Sequence, residues 1–439
     1  MSKRRTTTLE VSEFDRILRE RQLRTMFQPI VRLASGATIG YEALVRGPEG
    51  SPLASANALL EAAYTADRVV EFDWVARASA CRAAMAAHLD PDQILFLNVE
   101  PLALDSDCPP DLWPDVERAF RTLRIVLEVT ERSLDRDPGL LLDGLDRLRP
   151  TIAGFALDDV GATTATLSML PLIAPAVIKL ERNIVQQVQS AETTRVLSIA
   201  YEEVERTGAT ILTEGIETTG QAAFARSVGA SLGQGYFLGR PSWKPVPARG
   251  SAEPMPLRAE TPPSVLAPFD ALGGIVNGRA TETILGPLSR DLEPCVTNLA
   301  GPALYICLLP DPALFRPDDR RRLAGLAEQG VLTAVLGPGL PTQLGGGIRG
   351  AGLRGEPDIT NEWATVVLSP CSAGAMLARA DVESDPTEFE FGVTHDVQRV
   401  IAAARSLFRR LGRQEPGAGR RPDHRGDGPG QARAARPPS

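Results

Sequence analysis

Between residues 26 and 240 the chain alternates short runs rich in Val, Ile, Leu and Phe with longer stretches whose apolar residues recur at helical spacing. The short runs cover 26–31, 38–45, 94–99, 124–129, 154–160, 176–180, 209–215 and 233–238. Eight strands in this order, separated by helices, predict an α/β unit: a mainly parallel TIM-like (β/α)8 barrel rather than an open sheet. The separators agree. Segment 55–87 is Ala-rich with few breakers, Leu141, Leu145 and Leu148 follow Pro138 at helical spacing, and Val196, Ile199, Ala200 and Val204 precede Gly208.

Around Pro241 the periodicity stops and prolines recur to Pro263, which is linker composition. Apolar runs resume at 303–309, 331–336 and 364–368, with helix-like stretches at 318–329 and 396–410. They predict a smaller α/β or α+β domain. From Gly412 the chain is mostly Gly, Pro and Arg, too poor in large apolar residues to order itself. The expected organisation is an N-terminal extension (1–19), a barrel (20–242), a Pro-rich linker (243–267), a second domain (268–411) and a disordered tail (412–439).

A length of 439 residues suits two folded units. Lys and Arg number 47 against 55 Asp and Glu, a net charge of −8 that argues against binding nucleic-acid polymers or membrane surfaces. The three histidines, His88, His395 and His424, are scattered, so an imidazole-rich metal site is excluded and any metal must be held by oxygen. Five cysteines without C-x-x-C spacing read as plain thiols of a reducing compartment. The basic start at residues 1–8 lacks a following apolar segment, and no apolar run reaches the ~18 residues of a membrane span. The expected location is cytoplasmic.

Polar residues sit at or near the ends of most of the barrel's apolar runs: Glu42, Asn98, Glu128, the pair Asp158-Asp159, Lys179, and Glu214, with Gln234 in the last. Singly, a strand-end Glu is a solvated rim residue and an Asp pair a helix cap. Together they converge, because the C-terminal ends of parallel barrel strands share one face. Clustered carboxylates repel unless cations neutralise them, which points to hard divalent ions of the Mg²⁺ or Mn²⁺ kind. A pair of such ions suits phosphoryl chemistry on an activated water.

The motifs resemble the EAL family of cyclic di-GMP phosphodiesterases. Glu42-Ala43-Leu44 with Arg46 matches its signature, followed in family order by Asn98-Val99-Glu100-Pro101, Glu128-Val129-Thr130-Glu131, Asp158-Asp159, Lys179, Glu214-Gly215-Ile216-Glu217 and Gly239-Arg240-Pro241. The resemblance implies a barrel whose first strand is antiparallel. It implies hydrolysis of cyclic di-GMP to linear pGpG with two Mg²⁺ or Mn²⁺ ions, and a homodimer through this domain. It assigns Glu42, Asn98, Glu128, Asp158, Asp159 and Glu214 to the metals, with Lys179, Glu214 and Glu42 catalytic. Gln28, Pro29, Leu44, Arg46, Gln234 and Arg240 fall at substrate-contacting positions, and Glu131 and Glu217 at supporting ones. Two features depart from the pattern. Active members usually carry Phe-Gly-Thr-Gly-Tyr-Ser-Ser after the Asp pair, where this chain has Val160 to Thr166, and Glu181 replaces the usual Asp. The loop keeps a second reading open, a cyclic di-GMP receptor without turnover. Residues 269–411 resemble a DICT sensory domain through segments 363–370 and 389–396, with the signal unspecified. Gly345-Gly346-Gly347 reads as a flexible loop rather than a phosphate cradle, since no Lys-Ser/Thr follows.

Overall fold

The computed structural model describes residues 13–130, 138–161, 165–186, 190–246, 254–258, 260–297, 303–353, 359–369, 372–381 and 385–411. The tail beyond 411 and Glu131 lie outside the described residues.

Eight strands close a barrel: β1 (Arg24–Arg32), β2 (Thr38–Arg46), β3 (Ile94–Asn98), β4 (Arg124–Thr130), β5 (Gly154–Val160), β6 (Val177–Leu180), β7 (Thr210–Thr213) and β8 (Leu232–Gly233). Strand β1 runs antiparallel to β2 and β8, and the remaining neighbours are parallel. This is the TIM-like barrel with an inverted first strand that the sequence led us to expect.

Period-2 alternation explains why the runs look continuously apolar. Phe96, Val126, Ala156, Val177, Leu212 and Leu232 fill the barrel interior, while Leu95, Leu127, Leu157 and Ile178 face the surrounding helices. Two expectations need correction. The run 233–238 is strand only over Leu232–Gly233, because Gly235 (φ +152°) turns the chain so tightly that a Cβ there would lie 2.2 Å from the Ile216 carbonyl oxygen. The Ala-rich stretch 55–87 is two helices, Ala56–Thr65, capped by Ser55, and Val69–Ala86, separated at Asp67 with φ +53°.

The second unit is an eight-stranded mixed sheet, in the order β12-β13-β11-β10-β14-β15-β16-β9. Its strands are β9 (Gly278–Ala280), β10 (Leu304–Leu308), β11 (Leu332–Gly337), β12 (Gln343–Gly345), β13 (Ile348–Gly352), β14 (Glu362–Ser369), β15 (Ser372–Asp381) and β16 (Asp385–Thr394). Strands β10, β11 and β13 are parallel, the rest antiparallel. Gly345, Gly346 and Gly347, all at positive φ, make the β12–β13 turn.

The sheet has two buried faces. Leu304, Ile306, Leu308, Val366 and Leu368 face the helix Val397–Phe408 and share one apolar cluster with the barrel's outer layer. Tyr305, Cys307, Trp363 and Val367 face the other way, toward Leu285 of helix Glu282–Asp291 and Leu323 of helix Pro317–Glu328. Asp396 caps the helix Val397–Phe408 by accepting from the Arg399 N–H at 3.0 Å.

That helix docks on the barrel. Arg405, 0% exposed, reaches both Asp146 carboxylate oxygens at 2.6 Å and donates to the Leu172 carbonyl, while Arg409 pairs with Asp143 at 2.9 Å and with Asp146. Asp146 lies on helix Pro138–Leu148, just downstream of β4. Between the units, Met255 closes the barrel's lower end and Arg124 donates to its carbonyl at 2.5 Å. Cys81, Cys108, Cys295 and Cys307 are unbridged. Among the described residues no helix is long and apolar enough to cross a membrane.

Candidate functional site

The residues that fill the barrel floor determine which side chains stand above it. Two positions beyond each interior residue, the same face of the strand presents Asn98, Glu128, Asp158, Lys179, Glu214 and Gln234 at the barrel mouth. Strand β1 adds Gln28, paired in register with Glu42 of β2.

Lys179, with its side chain 1% exposed, stands at the centre. Its Nζ lies 2.8 Å from Glu128 Oε1, 2.8 Å from Glu214 Oε1, 2.9 Å from Asp158 Oδ1 and 3.8 Å from Glu42 Oε2. Burial opposes the ammonium charge, yet the surrounding carboxylates outweigh it and hold Lys179 well above the usual lysine range. Burial, together with Glu42 and Asp158, drives Glu128 well above the usual carboxylate range despite Lys179. Burial in the first place, with Asp158 and Glu42, pushes Glu214 up to about 8 against the pull of Lys179.

Glu42 is held from both sides. Gln234 Nε2 donates to Glu42 Oε2 at 2.5 Å and to Gln28 Oε1 at 3.2 Å, and Asn98 Nδ2 donates to Glu42 Oε1 at 3.3 Å. Consecutive aspartates on a regular strand would point to opposite faces. Here Asp159 adopts φ +57° and the β5–β6 register shifts between Leu157 and Val160, so both carboxylates reach one side.

The donor set fits hard cations. Asp158, Asp159 and Glu214 each bring an oxygen within 4.8 Å of the others, and among the described residues both Glu128 oxygens are buried without an aligned hydrogen bond. One ammonium serving several carboxylates leaves room for further positive charge.

A cavity of about 600 Å³ opens beside the cluster, lined by Glu42, Leu44, Asn98, Asp158 and Asp159. The other assigned residues lie elsewhere. Pro29 packs on Gly239, Arg46 donates to its neighbour's carbonyl (Val45) at 2.7 Å, and Arg240 stacks on Tyr236 at 4.3 Å, all three outside the cavity lining. Glu217 is exposed, with its backbone N–H held by Gln221. Sequence reasoning missed the opposite wall, where the buried ion pair Asp73–Arg77 stands beside Tyr64 and Glu100. Asp73 Oδ2 accepts the Glu100 N–H at 2.7 Å, and Tyr64 donates to Glu100 at 2.6 Å. The available signal was an Asp and an Arg four apart on an Ala-rich, inward-facing helix.

Residues 11–241, just over half of the chain, match the EAL domain. The chain belongs to the EAL domain family.

Among its relatives is the cyclic di-GMP phosphodiesterase RocR of Pseudomonas aeruginosa, 29% identical over 238 residues, covering 53% of this chain and 60% of that protein. The cyclic di-GMP phosphodiesterase NbdA of the same organism is 29% identical over 257 residues, covering 54% of this chain and 31% of that protein. An uncharacterized signaling protein of Caulobacter vibrioides is 30% identical over 236 residues, 51% of this chain and 28% of the relative. The EAL part thus spans less than a third of two of these three relatives. A solved structure described as the PaMucR phosphodiesterase in complex with c-di-GMP covers 53% of this chain and 97% of its own, at 25% identity and a TM-score of 0.46. A manganese and cyclic di-GMP complex of Klebsiella pneumoniae BlrP1 covers 50% of this chain and 56% of its own, at 28% identity and a TM-score of 0.45.

Proposed function

We propose that the chain hydrolyses one phosphodiester bond of cyclic di-GMP to give linear pGpG. The observation that carries this reading is the convergence of Glu42, Glu128, Asp158 and Glu214 on Lys179 at the barrel mouth, beside a cavity open to a ligand. Glu42, Asn98, Glu128, Asp158, Asp159 and Glu214 would hold two Mg²⁺ or Mn²⁺ ions. When bound, such ions lower the pKa of water and stabilise the attacking and leaving oxygens of an in-line displacement.

The chain's own residues do the rest. Lys179 places a fixed positive charge where negative charge grows on the attacking oxygen, in a pocket that needs no reorganisation to receive it. In this reading Glu214 would orient the attacking water, whose proton passes to solvent, and the ester P–O bond breaks as the new P–O bond forms, the departing oxygen taking a proton from solvent. Gln234 and Asn98 lock the Glu42 carboxylate in one orientation, and the apolar floor of Phe96, Val126 and Leu212 excludes bulk water from below.

The same reading includes a homodimer through the barrel, a cytoplasmic site of action, and a DICT-like second unit that regulates turnover. The regulatory part rests on the Arg405–Asp146 contact, which joins the second unit to the helix following the Glu128 strand. One observation favours a second reading, binding without turnover: segment 160–166 departs from the loop usual in active members. Purified protein incubated with cyclic di-GMP and Mg²⁺ or Mn²⁺, with pGpG followed by chromatography and binding measured in parallel with Ca²⁺, separates the two. Product supports hydrolysis; tight binding without product in any metal supports the receptor.

A further inference from the structure

Asn98 is the one uncharged member of the expected metal-holding set, and its side chain is exposed at the end of β3. A neutral amide is drawn to a cation less strongly than a carboxylate is, so its use depends on how well it is aimed. Its Nδ2 donates to Glu42 at 3.3 Å, which leaves the amide oxygen to meet a cation.

The backbone that aims Asn98 is held partly from outside the barrel sheet. Among the described residues the Val99 N–H makes the last main-chain bond to β4, 3.0 Å from the Glu128 carbonyl. The next N–H, that of Glu100, goes to Asp73 Oδ2 at 2.7 Å, and Pro101 has none. Beyond the sheet, the chain leaving Asn98 is therefore anchored by a carboxylate on helix Val69–Ala86.

Asp73 is itself fixed. It is 4% exposed and pairs with Arg77 one helical turn on, and Arg77, 3% exposed, lies over the Trp74 ring at 3.7 Å. Trp74 Nε1 donates to Ser106 Oγ at 2.7 Å, and Ser106 donates to the Ala103 carbonyl at 2.9 Å. Consecutive residues of one helix thus hold both ends of the short helix Pro101–Leu104 that follows Asn98. Burial pushes the Asp73 carboxyl above its ordinary range, with Arg77 and the Glu100 N–H opposing. A buried ion pair adds little stability over an apolar pair of the same size, so what distinguishes this one is where it puts the chain.

We propose that Asp73 is a positioning residue for Asn98: through the Glu100 N–H it fixes the strand end that aims Asn98 at the cations, and Arg77 clamps its carboxylate in place. The inference rests on the reading of Asn98 as a metal-holding residue.

The test measures Mn²⁺ binding to the full chain without substrate, by electron paramagnetic resonance of the free ion, beside amide exchange over 95–104. Partners behind metal ligands typically set affinity by ~10–100-fold, so Asp73→Ala is expected to weaken Mn²⁺ binding about tenfold or more and to speed exchange at the Glu100 N–H. Asp73→Asn keeps an acceptor for that N–H but strands the Arg77 charge; it is expected to melt below the parent yet bind Mn²⁺ about as tightly. Asp73→Ala combined with Arg77→Leu removes both charges, keeps the fold readable, and is expected to show the same loss of Mn²⁺ affinity as Asp73→Ala. With cyclic di-GMP, the Asp73→Ala defect is expected in kcat at low Mn²⁺, to shrink as Mn²⁺ is raised, and to leave KM unchanged. Mn²⁺ affinity unchanged in Asp73→Ala, affinity that follows melting temperature across the three variants, unchanged exchange over 95–104, or a change in KM alone would each overturn the proposal. A parent that binds no Mn²⁺ removes the metal reading and this inference with it; a parent that binds, with Asp73→Ala unaffected, removes this inference alone.

Discussion

Replacing Lys179 with methionine keeps most of the side chain's length and removes the ammonium shared by Glu128, Glu214 and Asp158 at 2.8, 2.8 and 2.9 Å. Removing one partner of a buried ion pair typically costs ~3–5 kcal/mol. Asp158 and Glu214 keep side-chain exposures of 12% and 21% and are able to recover some hydration or take a proton, so the lower end, about 3 kcal/mol, is the expected loss. At roughly 2–4 °C per kcal/mol for a domain of this size, the melting temperature should fall by about 6–12 °C. A divalent ion restores the missing positive charge. At 100 times its dissociation constant it contributes about 2.7 kcal/mol, nearly the whole deficit. The assay is thermal unfolding in EDTA and in MnCl2 of the parent, Lys179→Met, and Lys179→Met with Glu128→Gln. The single variant should melt well below the parent in EDTA and gain more from Mn²⁺ than the parent does. The Glu128→Gln change should recover part of the EDTA loss, because it neutralises the most buried carboxylate. A Lys179→Met protein melting within about 2 °C of the parent in EDTA, or gaining no more from Mn²⁺, would refute the claim that Lys179 substitutes for part of the cation charge.

Glu42→Ala removes an expected metal ligand and the acceptor of Gln234, and should lower pGpG formation by at least about 100-fold in a chromatographic assay; an unchanged rate rules out Glu42 as a ligand. Arg405→Met leaves Asp146 without its two 2.6 Å contacts, and should speed amide exchange in helix Pro138–Leu148 while sparing the barrel strands. Exchange unchanged there would mean that the contact does not hold that helix. Substituting Phe-Gly-Thr-Gly-Tyr-Ser-Ser for residues 160–166 should raise turnover, since the added glycine and aromatic alter how that loop moves; no gain would place the limit in the second unit.

Much of the barrel was legible because its strands and its site obey one rule. Strand-end polar residues were visible as interruptions of apolar runs, and parallel topology gathers such ends on one face. What the runs concealed was the alternation within them: Val126 and Leu127 look alike in sequence but face the floor and the helices respectively, and that parity is what aims Glu128 inward. The central place of Lys179 was not visible either, since spacing along the chain says nothing about which of five charged groups the others surround. The Asp73–Arg77 wall escaped notice because helical residues look solvated until the face they share is known. In the second unit the sequence showed three apolar runs where the sheet has eight strands. Strand β15, built on Ala373, Ala375 and Ala378, lacks the β-branched and aromatic residues that mark strands, and is recruited by pairing with β14 rather than by its own propensity.

The central claim is that this barrel breaks a phosphodiester bond of cyclic di-GMP with water. Turnover in H2¹⁸O with Mn²⁺, read by mass spectrometry of the product, tests it most directly. The account predicts linear pGpG carrying one ¹⁸O on its terminal phosphate, and none formed in EDTA. Intact, unlabelled cyclic di-GMP recovered from a saturated protein after prolonged incubation with Mn²⁺ would contradict it.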